Sequence, residues 1–255
     1  MYAEERQQSI AREVASEGRL SVAEIAERYD VTTETVRRDL TALEQLGLVR
    51  RVHGGAVPAA ALTTLETAVG ERDVANTAAK ERIVRAALAE LPPAGASVLL
   101  DAGTTTARLA AMLPTNHRLV VYTHAVPVAA RLATNPAVEL HLLPGRVRTA
   151  TQAAVGAATV GAVGLLRVDV AFMGANGISL GHGLSTPDAE EAATKRAFVL
   201  AAERVVVLAD ASKVGVEAAV RFAELDQVDL IVTDDAVDAE ERSALEAAGP
   251  EVVIA

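Results

Sequence analysis

The sequence predicts an α/β protein in two parts: a winged helix-turn-helix over residues 1–58 and a larger α/β domain over 78–255, joined by a linker at 59–77. Three observations predict it. Three short amphipathic segments precede a Gly-Gly turn in the first part. From residue 78 short apolar runs alternate with helical patterns, which implies a mostly parallel sheet. Between them "AAALTTLETAVGERDVANT" is Ala/Thr-rich with weak periodicity.

The first helix is expected over 4–17, where Ile10 and Val14 stand at i, i+4, and "GRL" breaks it. Ser21 precedes Glu24 by the capping-box spacing, and "VAEIAERY" follows as a second helix. "DV" makes the turn. Thr32 is placed to cap a third helix, "TETVRRDLTALEQL", whose Val36, Leu40, Leu43 and Leu46 share one face. Gly47 ends it, and "LVRRVHGGAVP" reads as two extended pieces around Gly54-Gly55, a hairpin wing.

The larger part opens with a helix, "AAKERIVRAALAEL", then a strand, "SVLLD", and a helix from near Thr105. Strand "LVVYT", a helix over 125–134 and strand "VELHLL" come next. After a loop, "VDVAFMG", "RVVVLAD", "VDLIVTD" and "EVVIA" are further strands with helical patterns between them.

Composition bounds the function. At 255 residues and 51% hydrophobic, the chain can bury a substantial core. It holds no cysteine, so no disulfide framework or thiol chemistry is available, which fits a reducing cytoplasm. The charged start "MYAEERQQSI" is no signal peptide, and no uncharged apolar run is long enough to span a membrane. Aromatic residues make up 2%, too few for a site built by stacking. The net charge of −10 argues against a general polyanion binder, but the acidity is uneven. Residues 1–58 hold 8 arginines and 10 carboxylates, whereas the remainder holds 16 basic and 24 acidic residues.

The polar face of the third helix carries Thr33, Glu34, Arg37, Arg38 and Thr41. The second helix of a helix-turn-helix enters the major groove, where Arg and Thr reach base edges and phosphates. Thr32, Thr33, Thr35, Arg37 and Arg38 are the candidates there, and Arg50, Arg51 and His53 in the wing add a basic cluster for the backbone or minor groove. "RRD" alone would be a solvated face. The full order of capped helix, turn, capped helix with two arginines, Gly and basic wing is much more specific, and points to DNA binding.

Loops after parallel strands are where α/β sheets place ligands. In "DAGTTT", Asp101 ends a strand, Gly103 admits close approach, and Thr104, Thr105 and Thr106 offer hydroxyls and N–H groups at a helix start, an anion site. An Asp-Gly turn with a Thr cap explains the same letters. In "YTHAVP", Thr123 or His124 could meet a sugar hydroxyl; in "LPGRVRTATQAAVG", Arg146 and Arg148 could meet a phosphate, or be surface arginines. In "FMGANGISLGHGLSTPDAEEAATK", Gly174 and Gly177 mark turns and Asn176 is a hydroxyl reader. Asp188, Glu190 and Glu191 are explained by the dipole of the helix they begin. Lys195 on that helix and Lys213 in "LADASK", after Asp210, could together neutralise one phosphate.

"RLSVAEIAERYDVTTETVRRDLTALEQLGLVRRVHGGAV" resembles the DNA-binding signature of the DeoR/GlpR family of bacterial transcriptional regulators. The resemblance continues through "LDAGTTT", "YTHAVPVA", "PGRVR", "DVAFMGANGI", "GLSTPDAEEAATK" and "VVVLADASK", and so covers nearly the whole chain. It implies a sugar-catabolism repressor whose C-terminal domain, similar in fold to ribose-5-phosphate isomerase, binds a phosphorylated sugar and releases double-stranded operator DNA. A homodimer or homotetramer is expected, because single modules need a two-fold partner to span half-sites. No cofactor, metal or membrane partner is expected. "MYAEER", "RVRTATQAAVG", "HGLSTPDAEEAATK" and "EVVIA" look most like regulators of fructose-utilisation operons, which implies fructose 1-phosphate or fructose 1,6-bisphosphate as effector. Glycerol 3-phosphate and other hexose phosphates are the alternatives. The chain departs from the family pattern at Thr123-His124, where Thr-Asn is common, and at Pro144-Gly145, where Gly-Gly is common.

The same resemblance supplies a rival, an aldose–ketose isomerase fused to a DNA-binding module. Isomerisation needs a carboxylate base. Counting back from "ADASK", the isomerase's glutamate falls near Lys195, and its acidic loop pair is replaced by "GANG" at 174–177. Glu190 and Glu191 are the only nearby substitutes, so no catalytic residue is assigned.

Overall fold

The computed structural model describes residues 3–17, 20–46, 48–52, 54–58, 73 and 76–255. The expected break at Gly18-Arg19, the stop at Gly47, His53 and most of the expected linker lie outside them.

The N-terminal part contains α1 (Ala3–Glu17), β1 (Leu20–Ser21), α2 (Val22–Tyr29), α3 (Thr33–Gln45), β2 (Val49–Val52) and β3 (Gly55–Pro58). Ser21 and Glu24 close the capping box of α2, and Asp30 turns the chain with φ of 50°. Thr32 caps α3 by accepting from the Thr35 N–H at 3.2 Å. Val36, Leu40 and Leu43 bury their face against Ile10 and Val14 of α1 and Ile25 of α2. Leu46 is an exception to the expected stripe: it is the C-cap residue of α3 and is 68% exposed. Buried Asp39 fixes α1 to α3 by accepting from Arg6 at 2.6 Å and Gln7 at 2.9 Å. The three strands pair antiparallel in the order β1-β3-β2. Gly55 is required there, because a Cβ would stand 2.2 Å from the Leu20 carbonyl oxygen.

The larger part begins with α4 (Thr77–Ala87), extended by a 3-10 turn, then β4 (Ser97–Leu100) and α5 (Thr104–Met112). β5 (Leu119–Thr123), α6 (Val126–Leu132), β6 (Val138–Leu142), the hairpin of β7 (Arg146–Arg148) and β8 (Ala153–Val155), and α7 (Ala157–Val163) follow. Next come β9 (Val168–Met173), β10 (Gly177–Ser179), β11 (Gly183–Thr186), α8 (Ala189–Ala201) and β12 (Ala202–Leu208). The chain ends with β13 (Val220–Ala223), β14 (Leu230–Thr233), α9 (Ala239–Ala247) and β15 (Glu251–Ile254).

The seven expected strands form one parallel sheet, ordered β15-β14-β12-β9-β4-β5-β6. Its inner strands read as apolar runs because both faces are covered, whereas the edge strand β6 leaves Glu139, His141 and Leu142 exposed. Val98, Leu100, Val170 and Phe172 face α4, α5 and α6, while Leu99, Ala171 and Met173 face Val163 of α7 and Phe198 of α8. The antiparallel sheet β10-β11-β13 and the β7–β8 hairpin are not in the sequence reading. The chain winds one way from β4 to β6 and the other way from β9 to β15. The order therefore reverses between β4 and β9, and a crevice opens beyond the carboxyl ends of strands at such a point. Among the described residues, no helix is long and apolar enough to cross a membrane.

Candidate functional site

Two surfaces take up the residues singled out above. On α3, Thr32, Thr33, Arg37 and Arg38 are exposed and Thr35 is half-buried. A shallow cleft runs between α3 and the wing, lined by Glu34, Arg37, Arg38, Thr41, Gln45 and Arg51. Arg37 lies 3.7 Å from Glu34, an exposed pair, whereas Arg38 makes no side-chain bond among the described residues. Arg51 is tied to α3 twice: its backbone N–H donates to Glu44 at 2.8 Å and its guanidinium to Thr41 Oγ1 at 3.0 Å. The wing is thereby held in register with the helix. The Arg50 side chain and His53 lie outside the described residues.

The second surface is a cavity of about 350 Å³ at the β4–β9 switch point. Its walls are the loop after β4 (Ala102 to Thr106), the loop after β9 (Gly174 to Asn176), the end of β12 with its turn (Leu208 to Lys213), Glu191 and Lys195 of α8, and Asn76 and Lys80 at α4. Parallel-strand topology thus brings Gly103, Thr104, Thr105, Thr106, Gly174, Asn176, Lys195, Asp210 and Lys213 together from four separate loops or helices. Gly103 is the N-cap of α5, so no side chain caps the first-turn N–H groups of that helix. The Thr106 hydroxyl is committed to the Gly103 carbonyl at 3.1 Å. Asn176 Oδ1 accepts from the Thr186 hydroxyl at 3.0 Å. Asp210 organises the β12 turn, accepting from the Ser212 N–H at 3.2 Å and from Asn76 Nδ2 at 2.9 Å.

Asp101 stands behind the wall, fully buried. It accepts from the Gly174 N–H at 2.9 Å and pairs with Lys195 Nζ. Burial alone would raise its carboxyl, but the charge of Lys195 outweighs this and brings it down to about 2. Lys195 also donates to the Gly174 carbonyl at 3.1 Å and lies 4.0 Å from Glu191. It is 2% exposed and held by carboxylates. Its ammonium is therefore already neutralised where an open phosphate ligand was expected.

Five further candidates do not line the cavity. Thr123 is buried; its hydroxyl donates to the Leu100 carbonyl at 2.8 Å and accepts from the Ala125 N–H at 3.1 Å, closing the end of β5. His124 is buried as well. Its Nδ1 lies 2.7 Å from the Ala154 carbonyl, and the Ala102 N–H donates to Nε2 at 3.2 Å, so it props the loop from behind. Arg146 is exposed and paired with Glu190. Arg148 pairs with Glu191 at 2.5 Å and Asp188 at 3.3 Å. Gly177 sits where a Cβ would meet the Val216 carbonyl at 2.3 Å, so it serves the packing of β10. Asp188 caps α8 through the Glu191 N–H at 2.9 Å, as its dipole reading implies.

Four polar lining residues are not assigned to the site by the sequence reading: Asn76, Lys80, Ser212 and Glu191. Lys80 carried a signal, since it begins the stripe Lys80, Ile83, Val84, Ala87 that α4 buries. A charge on an apolar stripe calls for a partner. Burial pulls its ammonium below the usual lysine range; Asp210 opposes this, and Lys213 and Arg108 reinforce it.

The family model for a DeoR-like helix-turn-helix domain matches residues 6–60, and that for the DeoR C terminal sensor domain matches 75–235. The HTH-type transcriptional regulator GlpR of Haloferax volcanii is 35% identical over 253 residues, spanning 99% of this chain and 98% of its own. The uncharacterized HTH-type transcriptional regulator FruR of Bacillus subtilis is 33% identical over 234 residues, spanning 92% of each chain. Among solved structures, ribose 5-phosphate isomerase A from Methanocaldococcus jannaschii overlays 55% of each chain at 20% identity, with a TM-score of 0.40.

Proposed function

The chain belongs to the DeoR family of transcriptional regulators, and from that premise we propose that it represses a sugar-catabolism operon and responds to a phosphorylated sugar. The winged helix-turn-helix reads operator DNA through Arg37 and Arg38 on α3, with Arg51 alongside on the wing. The effector occupies the switch-point cavity, with its phosphate near Thr104, Thr105 and Lys213 and its hydroxyls toward Asn176. Fructose 1-phosphate is the effector proposed; glycerol 3-phosphate and other hexose phosphates are the alternatives. The protein acts as a homodimer or homotetramer, so that two recognition helices reach two half-sites.

The observation that carries this reading is the pairing, in one chain, of a basic helix–wing cleft with a cavity walled by "DAGTTT" and lysines. A ligand that binds the folded state raises its melting temperature with occupancy. A thermal-shift panel of inorganic phosphate, fructose 1-phosphate, fructose 1,6-bisphosphate, glycerol 3-phosphate and ribose 5-phosphate tests it. A rise with one or more sugar phosphates supports the sensor, and a flat panel removes it.

One observation favours the isomerase as a second reading: Glu191 places a carboxylate on the cavity wall. That carboxylate is engaged by Arg148 and lies close to Lys195, and a salt-bridged carboxylate is a poor base. Ribose 5-phosphate is expected to give no ribulose 5-phosphate above background, and clear turnover would establish the isomerase instead.

A further inference from the structure

We infer that the outer edge of β6 is the seat of a second copy of this chain: the β6 strands of two copies pair antiparallel across a two-fold axis at Leu140 and join their parallel sheets into one. This pairing rests on the oligomeric reading above and gives it a surface and a register.

The strand β6, "VELHL", packs against β5 and α6, and among the described residues no strand pairs with its other edge. Its register with β5 runs without a bulge from Val138 to Leu142, and it holds no proline and no lysine. Those are the usual devices that blunt an open edge. Leu142 adds apolar surface there, at 56% exposed.

The backbone fixes which residues a partner strand can reach. The Ala137 carbonyl accepts from the Leu119 N–H at 3.0 Å, and the Leu143 N–H donates to the Thr123 carbonyl at 2.8 Å. Both bonds point toward β5. Backbone direction alternates along a strand, so Glu139 and His141 also bond toward β5, while Val138, Leu140 and Leu142 turn their N–H and carbonyl groups outward. The Val138 N–H is taken by the Asn135 carbonyl at 3.1 Å, which ends the open ladder.

The side chains then select the register. With the axis at Leu140, this residue bonds its own copy, and the Leu142 N–H reaches the partner's Val138 carbonyl. Glu139 stands opposite the partner's His141, in the non-hydrogen-bonded position where facing side chains come closest. Moving the axis to Glu139 or His141 would set carboxylate against carboxylate or imidazole against imidazole, and like groups directly opposite are unfavourable. The imidazole is already presented on this face: it stacks on Tyr122 with centroids 4.7 Å apart, and its Nε2 lies 3.0 Å from Glu139. On the other face Leu142 covers the partner's Val138, apolar against apolar. Each copy thus offers both halves of every pair, as an isologous interface requires.

The chain has no cysteine, so one introduced thiol reports on one position. Facing residues in a hydrogen-bonded antiparallel pair have Cα atoms about 5.5 Å apart, within disulfide reach. In the full-length protein Leu140→Cys is expected to form a covalent dimer on mild oxidation, well before Leu165→Cys, a control at a residue 89% exposed. Leu142→Pro removes an outward N–H and spares the bonds to β5, which is where an edge strand tolerates proline. It is expected to halve the mass found by sedimentation with an unchanged far-UV spectrum. Wild-type mass in a folded Leu142→Pro, or an oligomer in which Leu140→Cys crosslinks no faster than the control, overturns the β6 pairing and leaves the oligomer standing. A monomeric wild type overturns both. If Leu142→Pro fails to fold, the Leu140→Cys result decides.

Discussion

Lys195 of α8 and Asp101 at the end of β4, 94 residues apart in sequence, meet as a buried ion pair at the wall of the switch-point cavity. Gly174 closes the arrangement, its N–H on the carboxylate and its carbonyl on the ammonium. The pair thus pins the loops after β4 and β9 to one helix.

Removing either partner strands a charge in the interior, at a cost of about 3–5 kcal/mol. Lys195→Met is expected to lower the urea midpoint accordingly. A midpoint equal to that of the wild type would show that the pair contributes nothing net.

The Asp101 carboxyl also predicts an acid limb. Its folded value, about 2, lies below the ordinary 3.8. A depressed carboxyl stabilises the fold above its unfolded value and loses that contribution as pH falls through the folded one. Stability should therefore decline between these two values. Asp101→Asn is expected to flatten that part of the curve in denaturation measured across pH, and an unaltered slope would assign the decline to other carboxylates.

Arg37→Ala with Arg38→Ala is expected to abolish operator binding in a gel shift, because both side chains are exposed on α3. Calorimetric affinity for the sugar phosphate should survive. Operator binding at wild-type strength would remove α3 as the reading helix.

His124→Ala tests the supporting role of a buried ring. It leaves the Ala102 N–H and the Ala154 carbonyl without their partner. Each buried group so orphaned costs about 1–3 kcal/mol. Thermal unfolding should show a marked loss of stability, whereas an unchanged melting temperature together with lost ligand affinity would return His124 to the binding surface.

The sheet was legible because its inner strands are apolar runs of ordinary length and its edge strand β6 alternates apolar with polar residues, and the α2 and α3 caps because Ser21, Glu24 and Thr32 bond locally. The sheet β10-β11-β13 was not, since it pairs Leu184 with Ala223 across a long separation and β10 has only three residues. In the cavity, "DAGTTT" and Lys213 were legible as loops after strands. Thr123 ends a strand and His124 follows it, but the chain turns their side chains under the loop instead of into the crevice. Nothing in the letters "YTHAVP" separates those two directions. Lys80 was hidden for the opposite reason, because it precedes the first strand and reaches the site only when α4 packs against the sheet.

The central claim is that one chain couples the cavity to the DNA-reading face, and a direct measurement is fluorescence anisotropy with labelled DNA from the promoter it controls. Fructose 1-phosphate at saturation is expected to raise the DNA Kd by about 5- to 150-fold, the range of typical coupling energies. A DNA Kd unchanged while calorimetry shows the sugar phosphate bound would contradict it.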